Sequence, residues 1–145
     1  MKVEENIGFL VFRAHKSLRK GFVTVLKKYG LTDRQYGVLY RLSLNEGISA
    51  IKLAQGLVSD SSTMVAVIDR LEQKGLVKRE EDPADRRVNR LFLSSKAREL
   101  LPHLVKSVLE LEKERQKVLS QQEIKILRSA LAKLYRFGQQ WKEEA

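Results

Sequence analysis

The sequence predicts a mainly α-helical chain that carries one small β-hairpin. Three observations predict it. Apolar residues recur at three- and four-residue steps through most of the chain, the period of amphipathic helices. Only the stretch from Leu76 to Leu93 departs from that period, giving two short runs around a polar segment. Residues that start or stop helices fall at the ends of the periodic stretches: Thr32, Ser49, Asp60 and Ser120 as caps, Gly30, Gly47 and Gly75 as stops. With 145 residues, 43% of them hydrophobic, the chain can build a core as one compact domain or as one subunit of an intertwined pair.

The first helix carries Ile7, Leu10, Val11, Ala14, Leu18, Phe22, Val25 and Leu26 on one stripe and ends near Tyr29-Gly30. Arg13, Lys16, Arg19, Lys20, Lys27 and Lys28 lie between those positions and read as a solvated face. Thr32-Asp33 opens a second helix with Tyr36, Val38, Leu39 and Leu42 inward, ending at Asn45-Glu46-Gly47. Ile48 stands alone and is expected to pair as a minimal strand with a sheet formed elsewhere. Ser49 caps a short third helix with Ile51, Leu53 and Ala54 inward. Asp60 caps a fourth, residues 61–73, whose buried stripe is Met64, Val67, Ile68 and Leu71. That leaves Ser61, Ser62, Val65, Ala66, Asp69 and Gln73 facing out, and small hydroxyls beside an outward valine suit a surface that touches something.

Leu76–Arg79 and Arg90–Leu93 form the hairpin, and Asp82-Pro83-Ala84-Asp85 between them has the order of a type I turn. Ser94 or Ser95 caps a long fifth helix with Leu100, Leu101, Leu104, Val105, Val108 and Leu111. Pro102 should bend it or delay its start. Ser120-Gln121-Gln122-Glu123 is a capping box that opens the last helix, with Ile124, Leu127, Leu131, Leu134 and Trp141 on one side.

Charge and chemistry narrow the function. Lys and Arg number 28 against 18 Asp and Glu, a formal net charge of +10, which favours an anionic partner, nucleic acid before a membrane surface. There is no cysteine, so thiolate metal ligands, disulfides and sulfenic-acid switches are unavailable, as suits a reducing cytoplasm. His15 and His103 lie far apart with no ligand-spaced partner, and no nucleophile with a base, paired catalytic carboxylates or phosphate-cradling glycine loop is present. The sequence therefore reads as neither an enzyme nor a cofactor protein. No run approaches the roughly 20 apolar residues that span a bilayer, and the N-terminal apolar run breaks at Arg13, unlike a secretory signal. The expected location is cytoplasmic.

Helix, turn, helix and a two-stranded hairpin, in that order, form the winged helix-turn-helix plan, in which the second helix lies in the major groove. Residues 61–73 become the reading helix and the hairpin the wing, whose Arg86 and Arg87 would reach a flanking minor groove that attracts guanidinium. The stretch LAQGLVSDSSTMVAVIDRLEQKGLVKREEDPADRRVNRLFLSSKA, residues 53–97, resembles the MarR-type transcriptional regulators, most specifically in its ID-RLE-KGLV-R core, DPADRR wing and L-S-x-K segment.

The resemblance implies a homodimer whose first and last helices intertwine, with residues 1–30 and 98–145 as dimerisation region and 31–97 as DNA-binding domain. It implies a D-x-R wing, here Asp85 and Arg87, that places the arginine in the minor groove of a pseudo-palindromic double-stranded operator. It also implies that a small aromatic or phenolic ligand binds among the first, second and fifth helices, where this chain offers Phe12, His15, Tyr36, Tyr40 and Arg41. Two outward positions depart from the family pattern: Val65 where threonine is common and Ala66 where a basic or polar reader is frequent. Base reading then falls to Ser61, Ser62 and Thr63 by hydroxyl and to Val65 and Ala66 against thymine methyls, so wing and DNA shape carry more of the specificity. A ligand-released repressor is the resulting expectation. The alternatives are a winged-helix protein-interaction module, with Val65 and Ala66 as its patch, and a ligand-independent activator. An interaction module has no use for exposed wing arginines.

Overall fold

The structure, a computed structural model, describes residues 2–57 and 61–140. After a single 3₁₀ turn at Val3–Glu5 the order is α1 (Ile7–Lys27), α2 (Asp33–Leu44), β1 (Ile48–Ser49), α3 (Ala50–Gly56), α4 (Ser61–Gln73), β2 (Val77–Glu81), β3 (Asn89–Leu93), α5 (Ser95–Gln116) and α6 (Gln121–Gln140). The chain divides into two compact units, Met1–Val108 and Leu109–Ala145. The expected cap Asp60 and the expected apolar position Trp141 lie outside the described residues.

In the first unit the caps act as their chemistry requires. The Thr32 hydroxyl accepts the Gln35 N–H at 3.2 Å while Gln35 Oε1 accepts the Thr32 N–H at 3.1 Å, a closed capping box that lets Gln35 sit buried without a lost hydrogen bond. Ser94 caps α5, its Oγ accepting the Ala97 N–H and donating to the Gly75 carbonyl. Gly75 itself takes φ 68°, the left-handed turn that ends α4 and sends the chain into the hairpin, a conformation any side chain would strain.

The core lies between α2, α3, α4 and the sheet. Leu26, Val38, Leu39, Leu42, Leu53, Ile68, Leu71, Leu91 and Leu104 are its largest fully buried side chains, each contributing about 1.5–3 kcal/mol by leaving water. The sheet order is β1-β3-β2, all antiparallel. Ile48 does pair as a minimal strand, opposite Leu91. Edge pairing of this kind covers one side of the hairpin and leaves its tip to extend alone.

Two expectations, one about a helix face and one about a helix start, are corrected. Ile51, read as inward, is 63% exposed. The buried arc of α3 runs through Ala50, Leu53, Ala54 and Leu57, and at 100° per residue Ile51 falls just outside it. Pro102 does not delay α5, which starts at Ser95 and continues through it. Pro102 lacks the N–H that would bond the Arg98 carbonyl, so the helix runs on with one backbone hydrogen bond fewer there.

In the second unit the capping box at Ser120 is formed: its N–H reaches Glu123 Oε2 at 2.7 Å and its Oγ accepts the Glu123 N–H at 3.2 Å. The backbone and hydroxyl of Ser120 hold the Glu123 carboxyl below its usual range. Ile124 is buried, whereas Leu127, Leu131 and Leu134 remain exposed along α6. On α1, in the first unit, Ile7, Leu10, Val11 and Leu18 are likewise exposed. Among the described residues no helix is long and apolar enough to cross a membrane.

Candidate nucleic-acid interface

The outward face of α4 follows from its inward one. Met64, Val67, Ile68 and Leu71 are buried, so helical geometry turns Ser62, Val65 and Ala66 to solvent, with Val65 45% exposed. Thr63 is half-buried at the edge. Ser61 opens the helix, and its side chain lies outside the described residues. The result is a short ridge of hydroxyls and methyls without a long side chain on it, able to approach another surface closely.

The wing tip is organised by carboxylates. Asp82 Oδ1 accepts the Ala84 N–H at 2.7 Å and its Oδ2 takes Arg90 Nε at 2.6 Å. The Arg90 guanidinium, followed by the Ala84 amide, holds the Asp82 carboxyl below its usual range. The backbone hydrogen bond that closes the tip runs from Val88 N–H to Asp85 O at 2.9 Å, which makes Arg86 and Arg87 the two central residues of the turn. Asp85 Oδ1 accepts both the Arg87 N–H at 3.0 Å and Arg87 Nε at 3.1 Å, and Oδ2 takes Nη2 at 3.2 Å. Those bonds depress the Asp85 pKa, the Arg87 side chain contributing first. Arg87 nonetheless remains 90% exposed. Asp85 thus aims the arginine without covering it, and Arg86 beside it is exposed too.

A third arginine joins reading helix to wing. From β2, Arg79 reaches Asp69 through Nη2 and Glu72 through Nη1, the latter at 2.6 Å. Asp69, read as simply outward, is therefore half-buried in an ion pair. The pairing neutralises the only two acids that α4 carries and braces the helix against the strand. Sequence reasoning missed it. The available signal was an i, i+3 acidic pair on α4 and an arginine two residues after Val77, on the same face of β2 as that buried residue.

The expected ligand residues are only partly assembled. Tyr36 and Tyr40 stack with ring centroids 5.9 Å apart, and Phe22, not foreseen, meets Tyr36 edge-on at 5.3 Å. Burial, and then Tyr40 beside it, raises the pKa of the Tyr36 hydroxyl. Phe12 lies exposed about 15 Å further up α1 than Phe22, at 1.5 Å of rise per residue, and His15 is exposed between them. Arg41 turns the other way: its guanidinium atoms stand 3.0–3.1 Å from where a Cβ on Gly56 of α3 would be, so it packs over that glycine. Basic residues of α1 are also accounted for in part, since Arg19 Nε binds Asp33 Oδ2 at 2.7 Å and holds that carboxyl below its usual range.

Comparison with known proteins agrees with this geometry. The family model described as MarR family matches residues 31–88, the span from α2 to the wing tip. A Thauera aromatica protein described as a transcriptional regulatory protein for the hcr operon is 30% identical over 131 residues, 90% of this chain and 79% of that one. The chain spans 53% to 59% of the length of several other curated relatives it matches. Among solved structures, the transcriptional repressor CouR bound to a 23-mer DNA duplex is 30% identical, covers 92% of this chain and 94% of its own, and superposes with a TM-score of 0.86. Bordetella bronchiseptica BpsR, whose DNA binding is described as regulated by 6-hydroxynicotinic acid, is 25% identical over 98% of this chain and 99% of its own, with a TM-score of 0.83. The relatives are transcriptional regulators and not enzymes, and the winged helix is shared with them over nearly the whole chain: the chain belongs to the MarR family and is a DNA-binding transcriptional regulator.

Proposed function

We propose that the protein is a homodimeric repressor that reads a pseudo-palindromic double-stranded operator and leaves it when a small aromatic anion binds. The observation that carries the reading is the pairing of a smooth ridge, Ser62, Val65 and Ala66 on α4, with an Arg87 that is held by Asp85 yet 90% exposed. A methyl-and-hydroxyl ridge fits a major groove closely but discriminates weakly, so the aimed guanidinium in a narrow minor groove supplies the remaining selectivity. Ser61, Ser62 and Thr63 engage base edges or phosphates, Val65 and Ala66 meet thymine methyls, and Arg86 binds phosphate.

Residues 31–97 then act as the DNA-binding domain, with residues 1–30 and 98–145 as dimerisation region. The exposed stripes of α1 and α6 support a second copy, because a lone chain would leave those leucines and isoleucines in water. Repression follows from occupancy of the operator, the role that CouR carries in its description. Ligand release is supported by what is described for BpsR and by the Tyr36–Tyr40 stack, whose half-exposed Tyr40 would give an aromatic ring a partner. Of the expected pocket residues, Tyr36 and Tyr40 come from one chain, the exposed Phe12 and His15 would be contributed by the second copy's α1, and Arg41, packed over Gly56, stays out of the pocket. A protein of this kind acts in the cytoplasm, where its DNA is.

Selection of bound fragments from random duplex DNA tests the reading. An inverted repeat with half-site centres about 10 base pairs apart is expected. Enrichment of a single half-site without symmetry would remove the dimeric operator from the proposal.

A further inference from the structure

The positive charge of the chain is not concentrated on its winged helix. Residues 31–97 carry 11 Lys and Arg against nine Asp and Glu, a net +2, whereas residues 1–30 carry seven against two, a net +5, half of the total of +10. Most of that excess lies on α1. At about 100° per residue Lys16, Lys20 and Lys27 fall within about 40° of one another, and Ile7, Val11 and Leu18 lie on the opposite side of the helix. A second copy covering the apolar side thus leaves the lysines in water. All three are exposed and, among the described residues, none has an ion-pair partner, while Arg19 between them is taken by Asp33. With Val23 and Thr24 they line a trough of about 380 Å³.

The row starts from the far end of the reading helix. Lys74, just past α4, donates from Nζ to Gly30 O at 2.5 Å, which ties the end of α1 to the C-terminal end of α4. Ser61 opens the other end of that helix, roughly 18 Å away at about 1.5 Å of rise per residue. We propose that Lys16, Lys20 and Lys27 hold the phosphate backbone of a second DNA segment while α4 and the wing hold the operator, so that one dimer bridges two duplexes.

Charge and shape together select this partner. From Lys16 to Lys27 the row is roughly 16 Å long, and its point charges on flexible stems suit a duplex that offers one negative charge per about 1.7 Å of axis and need not be read in sequence. Other anions fit less well. The trough has no aromatic side chain on which unpaired bases could stack, and its one apolar residue, the half-buried Val23, is too little to anchor a membrane or to form the centre of a protein interface. A regulator already seated on DNA meets neighbouring segments at high effective concentration, so a few contacts per subunit are enough to bridge. The inference rests on DNA binding and on the dimer proposed above; it needs neither repression nor ligand release.

The test places the full chain on an immobilised operator duplex and reads capture of a labelled second duplex of unrelated sequence. Occupancy of the first duplex is read on the same surface, which keeps a failure of operator binding distinct from a failure of capture. Lys16→Gln, Lys20→Gln and Lys27→Gln together should lower capture about tenfold or more while operator occupancy stays within about twofold, and the three arginine replacements should keep it. Capture by the parent should weaken with salt at a slope of at least about 2.7, three phosphates at roughly 0.9 each. Glutamine at Lys106, Lys113 and Lys125, exposed on α5 and α6, removes the same charge and should leave capture unchanged. A triple α1 variant that captures as tightly as the parent overturns the proposal, and so does an equal loss in the α5 and α6 variant, which would make net charge the cause. Operator occupancy that falls in step with capture overturns it by placing the lysines on the operator duplex. A parent that takes polyglutamate or anionic vesicles but no second duplex overturns it by giving the row to another partner.

Discussion

Met64, Val67, Ile68 and Leu71 of α4 are all 8% exposed or less, whereas Leu127, Leu131 and Leu134 of α6, on an equally regular apolar stripe, stay 41–46% exposed. Both helices obey the same periodicity, so the pattern says which face must be covered and not what covers it. In α4 the cover is intramolecular, from α2, α3 and the hairpin, and the opposite face is left open, the face we assign to DNA. Among the described residues of its own unit α6 has no such cover, which is why we assign it to a second copy. The rest of each helix follows: α4 can present short side chains outward because its stability comes from its back, while α6 keeps a costly apolar stripe that a monomer would not need.

The largest effect expected is on the buried side of α4. Ile68→Glu should abolish the cooperative melt, because an unpaired buried charge costs several kcal/mol against a total stability of about 5–15 kcal/mol. Val65→Glu, one turn away on the open face, should melt normally and lose operator binding. If circular dichroism shows both variants unfolded, the two faces of α4 are wrongly assigned.

On α6, Leu131→Glu combined with Leu134→Glu should halve the mass seen by sedimentation while the first unit keeps its melt. DNA affinity should fall with it, since two half-sites are no longer bound together. A dimer mass that survives both charges would mean that α6 is not covered by its partner, and the contrast with α4 would lose its explanation.

Smaller effects are expected at the wing. Arg87→Ala should cost about 1–3 kcal/mol and fall hardest on operators with A·T-rich flanks, whereas Arg86→Ala should weaken all sequences alike. Losing one phosphate contact per subunit should also reduce the salt slope of the dimer by about 1.8, twice the roughly 0.9 per phosphate. Unchanged affinity in both variants would make the tip a mere solvated turn.

The smallest effect concerns pH. Asp82 and Asp85 have folded-state pKa values depressed by Arg90 and Arg87 respectively. Their contribution is thus complete above the unfolded Asp value, about 3.9, and is lost as pH falls from there through the lower folded values. Both groups sit at the partly exposed tip, away from the core, so the loss should loosen the tip without melting the domain. Amide exchange at Ala84 and Arg87 should accelerate across that acid window while Leu71 stays protected; protection that persists through it would detach the turn from its carboxylates.

Much of this molecule follows from local chemistry. Thr32 with Gln35, Ser120 with Glu123, Gly75 after α4 and the polar run at Asp82 act within a few residues of chain, and so the helix order, the hairpin and the inward face of α4 were legible in the sequence. The exposure of the wing arginines was legible as well, because Arg86 and Arg87 stand on a polar turn. What needed the tertiary structure were contacts between residues far apart in the chain. Arg79 meets Asp69 and Glu72 only because β2 folds back along α4, Phe22 meets Tyr36 only because α1 and α2 cross there, and Arg98 finds Glu46 only because α5 begins beside the end of α2. Ile51 and Arg41 teach the same point from the other side: periodicity places a residue within about one residue's rotation of the buried arc, and the neighbouring element decides which side of that boundary it takes. Sequence by itself determined the elements and their inward faces, since those depend on period and caps; the fold alone decided which charges pair across elements, since that depends on how the elements cross.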